Sequence, residues 1–162
     1  MFKILIAHKK KAKLIGNIGK PMLSINTASP STIFVIEASS YQIEYSQYFK
    51  TDYAIILNIA PDHLERHGNI KNYTRAKFKL ITNQDKNSYS YIDINNKHLK
   101  KEVSHRNFKS KLTKVKILNF KKIKKNIYNP YFYNFNNIQN LSFIFELSKQ
   151  LKLKNKFIYK SI

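Results

Sequence analysis

Two short apolar runs set the main constraint on what this chain can fold into. Thr32-Ile-Phe-Val-Ile36 and Tyr53-Ala-Ile-Ile-Leu57 are unbroken, rich in β-branched residues, and free of alternating polar side chains. Runs of this kind predict strands covered on both faces, as in the interior of a parallel sheet. Ser40 to Phe49, lying between them, is long enough for a crossover helix. The three segments together predict a βαβ unit with the two strands as neighbours.

The pattern continues downstream. Asn72 to Thr82 predicts a helix capped by Asn72, with Tyr73, Ala76, Leu80 and Ile81 on one face. Ser88 to Ile92 predicts a strand, Asn96 to His105 a helix, and Thr113 to Leu118 another strand. Lys121 to Asn136 is basic, then rich in Asn and Tyr, and predicts a loop around Pro130. Asn137 to Leu151 predicts an amphipathic helix with Leu141, Ile144, Phe145 and Leu151 inward. Strands alternating with helices give an α/β fold, a mostly parallel sheet flanked by helices.

Composition narrows the partners. The 162 residues suffice for a single domain with its own core. Cysteine is absent, which excludes a disulfide framework and fits a reducing compartment. No apolar stretch has the length of a membrane span, and the start of the chain lacks the pattern of a secretory signal, so a cytoplasmic protein with no membrane partner is expected. The net charge of +21 raises nucleic acid as a partner. Lys109 to Lys125, followed by Tyr128, Tyr131, Phe132 and Tyr133, would supply phosphate contacts and base stacking in that case. The excess of Lys, Asn, Ile and Tyr over Gly, Pro and Ala also has a plainer source, the codon bias of an AT-rich gene. Because the charge is spread along the chain rather than built into a stripe, the plainer reading is preferred.

Ligands of open parallel sheets bind beyond the carboxyl ends of the strands. The first run exits into Glu37-Ala-Ser-Ser-Tyr-Gln42 and the second into Asn58-Ile-Ala-Pro-Asp-His-Leu-Glu-Arg-His67. Two neighbouring strands would deliver these polar exits to one crevice. Glu37, at the end of an apolar strand, would need a partner if buried, and a cation is the obvious one. His63 would stand beside it. Lys77 lies on the apolar side of its predicted helix, where it either snorkels to water or, desolvated, becomes a neutral amine able to take up carbon dioxide as a carbamate. Gly16-Asn-Ile-Gly-Lys-Pro21 is a tight turn whose backbone can approach a ligand closely. No G-x-x-x-x-G-K-[ST] phosphate loop occurs in the chain.

These segments, in this order, resemble the Mur ligase family. Gly16-Asn-Ile-Gly-Lys-Pro21, Glu37-Ala-Ser-Ser-Tyr-Gln42, Asn58 to His67 and Tyr73-Thr-Arg-Ala-Lys77 look like the family's successive central-domain motifs. Asn134-Phe-Asn-Asn-Ile-Gln-Asn140 looks like a worn form of its G-x-H-N-x-x-N motif. The likeness runs from about Leu14 to Leu151, and the Ser-Ser-Tyr-Gln form points to the branch that joins D-glutamate to UDP-N-acetylmuramoyl-L-alanine in peptidoglycan synthesis. It implies a P-loop-NTPase-like central domain, with ATP and Mg2+ as cofactors. It implies Glu37 on the magnesium between the ATP phosphates, and His63 with carbamoylated Lys77 at a second magnesium. It implies Asn17 and Ser39 on the muramoyl substrate and Asn140 near the adenine.

The pattern is also departed from. The family's phosphate loop, which precedes the Gly-Asn-Ile-Gly turn, is not found here. Asn134 and Asn136 stand where glycine and histidine are expected. The expectation is therefore one incomplete central domain over residues 1–162, without the UDP-binding and C-terminal domains. Such a chain would be inactive alone, as a fragment or as half of a split enzyme completed by separate chains.

Overall fold

A computed structural model describes residues 1–162, whose elements in chain order are α1 (Phe2–Ala7), β1 (Ala12–Gly16), β2 (Ile33–Glu37), α2 (Ser40–Tyr45), β3 (Tyr53–Ile56), α3 (Leu64–His67), α4 (Ile70–Thr82), β4 (Tyr89–Asp93), α5 (Lys97–Ser104), β5 (Lys111–Val115), α6 (Phe120–Ile123), α7 (Phe135–Gln150) and α8 (Asn155–Lys160). Short 3-10 turns occupy Met22–Ser24, Lys124–Asn126 and Pro130–Tyr133. Every strand pairing is parallel, and α-helices lie between successive strands from β2 onwards, so the α/β expectation holds. No helix is long and apolar enough to cross a membrane.

The chain divides into two compact units, Met1–Ala38 with Leu118–Ile162, and Ser39–Ile117. In the first, β1 pairs with β2 in register, Ala12 opposite Ile33 and Gly16 opposite Glu37. Its core gathers Ile4 and Leu5 of α1, Leu141 and Phe145 of α7, and Ile158 of α8, together with Ile127 and Leu153 from the connecting segments. Helix α7 starts where the Asn134 side chain accepts the Asn137 N–H, and its buried face includes Leu141 and Phe145. Ile144 and Leu151 are only partly buried at its margin.

The second unit is built on the order β3-β4-β5. Tyr53 sits opposite Tyr89, and Tyr89 opposite Lys111. Helices α3 and α4 form the crossover from β3 to β4, and α5 the crossover from β4 to β5. The core packs Ala54, Ile56 and Ile59 against Tyr73, Phe78 and Ile81 of α4, with Ile92 and Leu99. Phe78, Ile81, Ile92 and Leu99 are wholly buried, which stabilises the unit by about 1.5–3 kcal/mol for each such side chain.

Several expectations need correction. The strands at Thr32–Ile36 and Tyr53–Leu57 are not hydrogen-bonded neighbours: β2 pairs with β1, and β3 with β4. The pattern of β1 is masked by Lys13, which interrupts its apolar run, and β2 takes this masked strand as its partner. β2 is not covered on both faces either, since Phe34 is 36% exposed and Glu37 is exposed. Helix α4 begins two residues earlier than expected and is capped by Asn69, whose side chain accepts the Asn72 N–H. Residues 121–136 are not a plain loop, because Phe120 and Ile123 bury one side of α6 against the first unit's core. The last strand starts two residues earlier and ends three earlier, as Lys111–Val115.

Candidate functional site

In the first unit the sequence's Gly-Asn-Ile-Gly-Lys turn closes the end of β1. Gly16 donates its N–H to the Lys20 carbonyl at 2.9 Å, and Lys20 donates back to Leu14 at 3.2 Å. Gly16 has φ +106°, and a Cβ built on it would lie 2.2 Å from the Glu37 carbonyl oxygen. Only glycine allows that approach. It lets the Asn17 N–H donate to the same Glu37 carbonyl at 2.8 Å, so two candidate residues, Asn17 and Glu37, meet at the carboxyl ends of β1 and β2. The Glu37 carboxylate is exposed rather than buried, which removes the argument that burial alone demands a cation there. Asn140 lies in the second turn of α7, half-buried.

In the second unit Ser39 caps α2. Its Oγ accepts the Gln42 N–H at 3.2 Å while the Gln42 side chain accepts the Ser39 N–H at 2.9 Å, a reciprocal capping box. The exit of β3 is tied down by Asn96, whose side chain donates to the Ile59 carbonyl at 2.9 Å. Beyond Pro61, His63 adopts a left-handed conformation, φ +52°, and starts α3. Its ring is 44% exposed; Nε2 lies 3.4 Å from Asp62 Oδ2, and Nδ1 lies 3.7 Å from Glu65 Oε1. One face of the ring is covered by Tyr41, with ring centroids 5.1 Å apart. Burial pushes the Tyr41 phenol above its ordinary value, the Glu65 carboxylate adds to the rise, and the Arg66 guanidinium works against it.

Lys77 is half-buried on α4, its ammonium 5.0 Å from the centroid of the Tyr73 ring. That is a cation–π contact, worth about 0.5–1 kcal/mol where exposed and more when desolvated. It holds the amine in one direction along the helix. His63 and Lys77 therefore belong to one unit, and each is backed by an aromatic ring. No three His, Asp or Glu side chains are arranged as a ready-made metal cage. Magnesium is commonly held by one or two carboxylates plus substrate phosphates and waters, so an exposed carboxylate such as Glu37 suits it in kind.

Sequence reasoning missed His67. It is buried, with Nε2 3.0 Å from Ser40 Oγ and Nδ1 3.5 Å from Glu44 Oε2. Its ring stacks on Tyr41 at 5.4 Å and meets Tyr73 edge-on at 5.3 Å. A histidine in a polar stretch of sequence carries no burial signal of its own; the spacing of Ser40 and Glu44 on α2, four residues apart, was the available hint. A cleft of about 400 Å3 opens beside it, lined among others by Arg66, Arg75 and Lys79. A second cavity, about 530 Å3 and lined by Asn126, Tyr128 and Tyr159, holds none of the residues the ligase resemblance implicates.

Comparison with known proteins supplies what the geometry alone does not. A family model described as the Mur ligase middle domain matches residues 3–154. A UDP-N-acetylmuramoylalanine–D-glutamate ligase of Caldicellulosiruptor bescii is 48% identical over 82 residues, covering 50% of this chain and 18% of that protein. The protein of the same name from Rickettsia bellii is 42% identical over 81 residues, 50% of this chain and 18% of its own length. That from Elusimicrobium minutum is 39% identical over 104 residues, 64% of this chain and 23% of its own length. The chain thus spans 18% to 23% of the length of these relatives. All three are ligases by name, and nothing in these matches supports the nucleic-acid alternative.

Proposed function

This chain belongs to the Mur ligase family, as a middle domain, and from that premise we propose that it is the nucleotide-handling part of a cytoplasmic enzyme joining D-glutamate to UDP-N-acetylmuramoyl-L-alanine. The observation that carries the reading is the family match over residues 3–154, together with relatives named for that ligase. In the reaction the terminal carboxylate of the muramoyl substrate attacks the γ-phosphorus of ATP, giving an acyl phosphate and ADP. The amine of D-glutamate then attacks the acyl carbon, expels phosphate, loses a proton, and leaves an amide.

The two anions of the first step repel each other, so catalysis has to come from positioning and charge neutralisation. Magnesium, when bound, supplies that neutralisation. Glu37 would hold it at the ATP phosphates. His63 and the carbamate of Lys77 would hold a second at the acceptor carboxylate. That carbamate would form by attack of the Lys77 nitrogen, once its ammonium proton is lost, on carbon dioxide with release of a second proton. Asn17 and Ser39 would contact the muramoyl substrate and Asn140 the adenine. The exposed carboxylate of Glu37 at a strand end, and the exposed edge of His63, are where such ligands can reach.

The 162 residues hold no phosphate loop, so the remaining contacts to ATP would come from residues outside this sequence or from separate chains. Each transition-state contact of that kind is worth about 2.7–4 kcal/mol, which leaves this chain alone without measurable turnover. The test is phosphate release from ATP by the assembled enzyme, dependent on both UDP-N-acetylmuramoyl-L-alanine and D-glutamate. Lys77→Ala should abolish it and recover part of the rate with added short carboxylic acids. Glu37→Ala should weaken magnesium affinity, so that more magnesium is needed for the same rate. Full activity in Lys77→Ala, or activity indifferent to D-glutamate, would refute the assignment.

A further inference from the structure

We propose that His67 is a positioning residue for His63, acting through the ring of Tyr41. The proposal rests on the reading that His63 serves the metal. His63 leaves the strand exit in a left-handed conformation, and its ring is 44% exposed, flanked only by the exposed carboxylates of Asp62 and Glu65 on its own turn. An imidazole in that setting has several staggered orientations open to it. Tyr41 removes that freedom by covering one face at 5.1 Å. Tyr41 in turn is held flat against His67, with 5° between the ring planes and 5.4 Å between centroids.

His67 is the fixed member of this stack. Its side chain is 1% exposed, and both ring nitrogens face polar atoms of α2, Ser40 Oγ at 3.0 Å and Glu44 Oε2 at 3.5 Å. Its carbonyl accepts the Asn72 side-chain N–H at 3.0 Å, which locks the backbone to the first turn of α4. The same ring backs Tyr73, over which Lys77 lies. One buried imidazole therefore supports the aromatic partners of both metal-side candidates in this unit. A histidine serving the core alone would need its hydrogen bonds to Ser40 and Glu44. The parallel stack on a half-buried tyrosine, itself against an exposed histidine, is what a core role leaves unexplained.

The test is carbon-13 and proton NMR of the His63 ring in the chain as it stands, with manganese as a paramagnetic stand-in for magnesium. In the parent protein the His63 signals should be displaced by the Tyr41 ring current. Tyr41→Leu and His67→Gln should both return them towards the position of a free histidine, and weaken manganese broadening at His63 by about tenfold, the usual scale for loss of an outer partner. Tyr41→Phe, which keeps the ring, should retain both properties, well short of the roughly tenfold loss expected when an outer partner is removed. Should His67→Gln fail to fold, Ser40→Ala frees the His67 ring without removing it and must shift the same signals in the same direction. Unchanged His63 signals in the folded variants overturn the proposal. If manganese broadens His63 in no protein, parent included, the metal reading fails while the ring signals still decide the positioning role. If it broadens parent and variants alike, positioning fails and the metal reading stands.

Discussion

At Gly16 the missing side chain is what permits the local geometry. The residue sits at φ +106°, and the space a Cβ would take is already filled by the Glu37 carbonyl oxygen at 2.2 Å. Glycine-to-alanine changes at compatible positions stabilise by about 0.4–1 kcal/mol through the unfolded chain. Here the sign reverses, because left-handed strain of about 1–3 kcal/mol is added to a backbone clash. Gly16→Ala should therefore lower stability in urea denaturation and disturb Glu37, whose carbonyl must move first; a stabilised variant would contradict the geometry. The turn itself was legible from its two glycines. Its contact with Glu37 was not, because that contact depends on β1 lying beside β2, and β1 carries a lysine in a run that otherwise reads as apolar. His67 was illegible for a related reason: its burial is conferred by α2, not by its own neighbours in sequence. A second residue-scale effect concerns Tyr53. Burial, then Tyr89 and Asp52, pushes its phenol above 10.0. A phenol whose pKa is higher folded than unfolded binds its proton more tightly in the native state, so its contribution is intact below about 10 and is lost as pH rises through the higher folded value. Melting followed from pH 9 to 11 should fall more steeply for the parent than for Tyr53→Phe.

Helix starts decide how legible the elements are in the sequence. Asn69, Asn72 and Asn96 all stand at or before helical patterns, and of the three only Asn72 is read as a cap from the sequence. Asn96 is a cap in the structure: its side chain accepts from the N–H groups of both His98 and Leu99. At α4 the true cap is Asn69, because starting there brings Ile70 onto the second unit's core. Asn72 is then released from capping and its amide serves His67 instead. Asn69→Ala should cost about 1 kcal/mol, the usual value of a capping side chain. Asn72→Ala should cost less in helix stability yet disturb the His67 backbone; chemical denaturation combined with hydrogen exchange at Asn72 and His67 separates the two. Equal losses of α4 protection in both variants would mean the cap is shared. Helix α6 shows the opposite difficulty. Phe120-Lys-Lys-Ile123 has only two apolar residues, three apart, among lysines, too short a pattern to outweigh the basic composition around it.

Charge is the one property of the whole molecule that the sequence states completely, and it decides how this protein should respond to salt. Thirty Lys and Arg face nine Asp and Glu, so even if every carboxylate were paired, 21 cations would remain without an acidic partner. The exposed pairs present, such as Lys50 with Asp85 at 3.3 Å, are worth about 0–1 kcal/mol each, and salt weakens them. Repulsion among the unpaired cations is also screened, with a Debye length near 10 Å at 0.1 M, and it acts between every pair of them. Loss of a few weak attractions is set against relief of many weak repulsions, and the excess of one sign lets relief prevail. Raising potassium chloride from 20 mM to 500 mM should therefore stabilise the chain. If screening returns about 1 kcal/mol, the melting temperature should rise by about 2–4 °C. Chloride is the proper salt, because sulfate strengthens apolar burial whatever the charge and would give the same sign for another reason. A melting temperature that stays level or falls would mean that specific ion pairs, not general repulsion, govern this surface.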